Sequence, residues 1–126
     1  MVARATDERV KAEAEAAGLP VDVETISATV DFVLAMSLST SKRVDIDTRV
    51  GQLTGFLNLL KCQCLGEDED HDVLKLLRMV DRHVALSNQP TNRSPAHEVF
   101  NYMRDAAVFT SALLCAYTKK NGIAAP

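Results

Sequence analysis

Apolar residues recur at helical spacing in four stretches of this chain, and polar or turn-forming residues separate them. In the first stretch Val23, Ile26, Val30, Val33, Leu34 and Leu38 fall on one face at intervals that sum to turns of a 3.6-residue helix. Asp22 stands where an N-cap belongs, with Glu24 in the first turn, where the positive end of the helix dipole favours a carboxylate. The Ser/Thr-rich run "SLSTSKR" reads as the linker that follows.

The second stretch has the sharpest period. Ile46, Val50, Leu53, Leu57, Leu60 and Cys64 follow one another by four, three, four, three and four residues. That spacing makes a heptad-like seam in a helix opening near Asp45 or Asp47 and stopping at Gly66 as its C′ residue. Gly55 sits in its interior, either to admit a neighbouring helix closely or because the site tolerates it.

A third helix is predicted from about Asp68 to Asp70, with Val73, Leu76, Leu77, Val80 and Val84 as its buried stripe. The loop "LSNQPTNRSP" ends it. Ser94 as N-cap, Pro95 at the first helical position and Glu98 in the first turn open a last helix that runs to about Lys120. Lys119 and Lys120 suit its C-terminal dipole, and Gly122 closes it. Met103, Ala107, Thr110, Leu113, Leu114 and Tyr117 form its core stripe.

Residues 1–18 are rich in helix formers, yet Val10 is nearly their only large apolar residue before Leu19. A helix with no face to bury gains little from packing. The expectation is an all-α, four-helix bundle over residues 21–122, with a polar, flexible or partly helical arm over residues 1–20. Short connections favour an up-down-up-down order.

Composition supports this reading. At 126 residues and 47% hydrophobic, the chain can bury a core without disulfides or metals. The net charge of −3 and a pI near 5.5 argue against a global attraction to nucleic acid or to an anionic membrane. No apolar run approaches the ~20 residues of a membrane span. The charged, Ala-rich opening has no signal-peptide core, and three cysteines do not make a disulfide framework, so a reducing, cytoplasmic setting is expected.

Candidate chemistry concentrates in "KCQCLGEDEDHD", Lys61 to Asp72. Cys62, Cys64 and His71 are weak metal candidates. A structural zinc site wants four ligands from two close pairs, and two cysteines two apart on a helix point roughly 200° from each other. Asp68, Asp70 and Asp72 match the first positions of a calcium loop, but Val73 and Met79 stand where its glycine and closing glutamate belong. Asp68-x-x-His71 only distantly echoes a di-iron motif and lacks a second copy. The plain reading is a helix end followed by a negatively charged helix start. No catalytic residue, metal or cofactor is assigned.

Elsewhere, Cys115 lies in the uncharged run "AAVFTSALLCAY", where burial would leave it inert. His83 reads as a boundary histidine beside Val80 and Val84, and His97 as solvated. Phosphate-binding glycine loops, nucleophile elbows and zinc-protease motifs are absent from the sequence. Lys75, Arg78 and Arg82 share the polar face of the third helix within about 60° and form a basic patch, which Arg93 and Arg104 can extend.

The stronger functional sign is apolar surplus. Val108, Ala112 and Cys115 lie opposite the core stripe of the last helix, and Phe109 flanks it. Phe32 and Met36 fall outside the stripe of the first bundle helix, and Leu59 outside that of the second. Two arrangements account for them: a second buried surface against another copy or a protein partner, or a last helix so central that the chain's own elements cover it.

The layout of "DVETISATVDFVL", "RVGQLTGFLNLL", a Pro-containing loop and a final helix is similar to that of small all-helical proteins encoded near natural-product gene clusters. That resemblance links the chain to such biosynthesis and lowers the expectation of an enzyme. The leading expectation is therefore a non-enzymatic bundle acting through protein–protein contacts, as a homo-oligomer or with a protein partner, and without membrane or nucleic acid. A thiol- or metal-responsive sensor built on Cys62, Cys64 and His71 is the first alternative. A ligand binder or enzyme with a pocket between helices is the second.

Overall fold

A computed structural model of the chain describes residues 21–63 and 70–122. It is an all-α bundle: α1 spans Val23–Ala35, α2 Arg43–Lys61, α3 His71–Val84 and α4 Ala96–Lys120. Single 3₁₀ turns at Leu38–Thr40 and Leu86–Asn88 punctuate two of the connections. The N-terminal arm expected over residues 1–20 lies outside the described residues.

Local signals set the helix starts only in part. Asp22 caps α1 as expected: its carboxylate accepts from the Thr25 amide at 3.1 Å and from the Thr25 hydroxyl at 2.7 Å. These hydrogen bonds, the hydroxyl's first, hold the Asp22 carboxyl below its ordinary value. Asp70 caps α3 by accepting from the Asp72 amide at 2.9 Å. That accounts for the acidic entry to α3 in terms of capping.

Two starts differ from expectation. The second helix opens at Arg43 rather than near Asp45 or Asp47, because Arg43 is fixed by a tertiary contact described below. The cap of α4 is Pro95, not Ser94. The Ser94 hydroxyl is instead drawn back to accept from the Thr91 amide at 2.9 Å, closing the preceding turn.

The bundle is organised around α4, which packs most extensively on α2, then on α1 and α3, while the outer helices touch one another little. Its buried side chains include Val99, Phe100, Met103, Ala106, Ala107 and Leu113. From α2 come Ile46, Leu53, Leu57 and Leu60, and from α1 Ile26, Val30 and Val33. Full burial of such side chains contributes roughly 1.5–3 kcal/mol each, which makes this cluster the main source of stability. Thr110 and Thr118 are the polar residues among the buried ones, and each hydroxyl donates within the helix, to the carbonyls of Ala106 and Cys115. Among the described residues no buried side-chain nitrogen or oxygen lacks a partner.

Two sequence expectations are corrected here, and a third is narrowed. Leu34 and Leu38 are more than a third exposed. α1 rests chiefly on α4, so only a narrow arc of it is covered, and Leu38 falls beyond the helix end, where helical spacing no longer applies. The seam of α2 ends with Leu60, because the helix closes at Lys61 with Cys62 as its C-cap. Cys64 and Gly66, expected in and after that helix, lie outside the described residues. Of the two readings of Gly55, tolerance applies: among the described residues a Cβ there would meet nothing within 4 Å.

Candidate functional site

The central position of α4 covers most of its apolar surplus, but not all of it. A strip that includes Asn101, Arg104, Asp105, Val108, Ser111 and Cys115 remains on the surface. Val108 keeps 55% of its area exposed and Ala112 is half-buried. Cys115 is a free, exposed thiol rather than a buried inert one. Three helices leave a gap around α4, and the three-and-four spacing from Val108 places Cys115 in it.

The expected interface residues do not gather in one patch. Phe109 turns toward α3 and lines a groove of about 480 Å³ with Met79, Arg82, His83, Glu98 and Asp105 among its other walls. Phe32 and Met36 line a separate groove of about 610 Å³ between α1 and α2. There the Arg49 guanidinium stands 4.3 Å from the Phe32 ring centre, a cation–π contact, and donates to the Gln52 side chain at 2.8 Å. Leu59 is half-buried on α2 and lines neither groove.

The α3–α4 groove is floored by aromatic rings. His83 stacks on Tyr102 with ring centres 4.0 Å apart and 14° between planes, and meets the edge of Phe109 at 5.1 Å. His83 Nε2 lies 3.2 Å from the Tyr102 carbonyl, which can only accept, so this bond places the ring proton on Nε2. The Tyr102 hydroxyl donates back to the His83 carbonyl at 2.8 Å. Burial is the main influence on both side chains. It pushes the His83 pKa down, against the opposing pull of its bond to the Tyr102 carbonyl and of the Asp105 charge, and it pushes the Tyr102 pKa up. His83 is thus a boundary residue, as expected, and it pins the end of α3 to the start of α4.

Around this floor the charges separate. Lys75, Arg78 and Arg82 are all exposed on the outer ridge of α3. Arg78 Nε also reaches the Leu74 carbonyl at 3.4 Å. Across the groove, α4 presents Glu98 and Asp105, both exposed. On the other flank of α3, Asp81 is ion-paired with Lys61 of α2.

Of the weak metal candidates, Cys62 is exposed at the end of α2 and His71 is exposed in the first turn of α3. Cys64 lies outside the described residues. Among the described residues no three His, Cys, Asp or Glu side chains stand close enough to hold a metal ion. Again among the described residues, no helix is long and apolar enough to cross a membrane.

Sequence reasoning missed Arg43. Its guanidinium donates to the Ser94 carbonyl at 2.6 Å and the Thr91 carbonyl at 2.9 Å, and pairs with Asp47 at 3.0 Å. It ties the α3–α4 connection to the first turn of α2. No local pattern marks a residue whose partners lie about 50 positions onward.

No family model, curated protein or solved structure matches this chain. The functional reading therefore rests on its own surfaces.

Proposed function

We propose that this protein is a non-enzymatic helical bundle that works by contact, associating with itself through the exposed side of α4 in a regulatory or accessory capacity. The observation that carries the reading is Val108, a large apolar side chain left 55% exposed in the middle of the most buried helix, with Ala112 and Cys115 continuing its line. Met79, 41% exposed, lies on the α3 side of the groove that Phe109 lines. A surface of this kind loses water contact at roughly 25 cal/mol per Å² on association, enough to offset the ordering cost once several such side chains are covered together.

Light scattering tests this. Wild-type protein at high micromolar concentration is expected to give the mass of a defined oligomer, and Val108→Asp the mass of a monomer. A monomeric wild type contradicts the reading. A cytoplasmic setting, supported by the free thiols of Cys62 and Cys115, and a place beside natural-product biosynthesis, supported by the layout of the chain, belong to this same proposal.

A further inference from the structure

The α3–α4 groove carries opposite charges on its two walls. Arg82 lines the groove from α3, with Lys75 and Arg78 further along the exposed ridge and Arg78 on its α2 side, and Glu98 and Asp105 line the groove from α4. None of these five side chains is ion-paired in the fold, in contrast to Asp81 on the far flank of α3, which Lys61 engages. Between the two walls lie Met79 and Phe109. A surface with a basic wall, an apolar centre and an acidic wall is complementary to itself under a two-fold rotation.

We infer that the partner of this face is a second copy of the same chain, docked about a two-fold axis running along the α3–α4 seam, so that Arg82 of each copy meets Glu98 and Asp105 of the other. This rests on the self-association proposed above and specifies its face and symmetry. Rotation about that axis lays α3 of one copy over α4 of the other at the same height along the seam. Arg82 lines the same groove as Glu98 and Asp105, which stand two helical turns, about 10 Å, apart along α4. Arg82 then opposes the carboxylates on both sides, and the exposed parts of Met79 and Phe109 face one another at the centre. Pairing shifted along the seam, or turned end for end, would move Arg82 away from the carboxylates and leave the charges uncompensated, which gives the arrangement its register.

Charge-reversed proteins, studied by sedimentation velocity alone and mixed, decide the matter. Arg82→Glu alone, and Glu98→Arg with Asp105→Arg alone, are each expected to weaken self-association by at least roughly tenfold. An equimolar mixture of the two is expected to form a heterodimer, because each copy then brings one reversed and one native wall. A wild type that dimerises while both reversed proteins dimerise equally well overturns the charge-paired face but leaves self-association standing. Weakened variants that fail to recover on mixing overturn the two-fold arrangement. A monomeric wild type overturns both proposals. Circular dichroism checks that each variant folds. If one does not, the wild-type dimer itself serves: an affinity that does not fall from low to high salt overturns the charge pairing.

Discussion

His83 and Tyr102 hold each other twice: their rings stack at 4.0 Å, and the Tyr102 hydroxyl donates to the His83 carbonyl at 2.8 Å. Nineteen residues separate them, and together they fasten the end of α3 to the start of α4. The clasp matters because α3 is the least buried helix, with Val80 its only fully buried residue. Removing the hydroxyl alone, in Tyr102→Phe, is expected to cost about 0.5–1.5 kcal/mol in urea unfolding, the net worth of one hydrogen bond. Amide exchange in α3 is expected to rise more than in α2.

The same clasp has a pH dependence with a definite sign. Burial lowers the His83 pKa from 6.5, so the folded state favours the neutral ring. Its contribution is fully present above pH 6.5 and is lost as pH falls from that value through the lower folded pKa, below which both states are protonated. Unfolding free energies of wild type and His83→Gln, measured across this window, are expected to converge toward acid. A gap that widens as the pH drops would reverse the sign.

Gly51 and Gly55 lie within α2, exposed, and a Cβ at either would meet nothing within 4 Å. Alanine there removes backbone freedom from the unfolded chain without a steric cost. Gly51→Ala and Gly55→Ala are each expected to stabilise the protein by about 0.5–1 kcal/mol, nearly additively, as a rise in urea midpoint.

Arg43 fixes two carbonyls and one carboxylate at once. Arg43→Ala is expected to destabilise by about 1.5–3 kcal/mol and to speed amide exchange across residues 89–95. Arg43→Lys is expected to recover little, because an ammonium cannot reproduce the planar fork that serves Thr91 and Ser94 together.

What the sequence made legible follows from distance along the chain. The α2 seam of Ile46, Leu53, Leu57 and Leu60 was readable because helical spacing alone decides which side chains share a face. Asp22 and Asp70 were readable as helix starts because their bonds reach only two or three residues. Arg43 and the His83–Tyr102 clasp were not, since both bridge elements that only the fold brings together. The same limit applies to Leu34: its period matched the core stripe, but how wide an arc of α1 is covered depends on which helices pack there. The apolar surplus of α4 was visible in sequence, while its division between a central core position and one exposed strip was not.

The chain contains its own probe of the central claim. Cys115 lies on the exposed strip of α4 proposed to make contact, and Cys62 is exposed on a different element, at the end of α2. Their alkylation rates, read by peptide mass spectrometry on dilute and on concentrated protein, report directly on whether the strip becomes covered. Slower labelling of Cys115 at high concentration, with Cys62 unchanged, is the predicted result. Equal rates at Cys115 across the whole concentration range would contradict it.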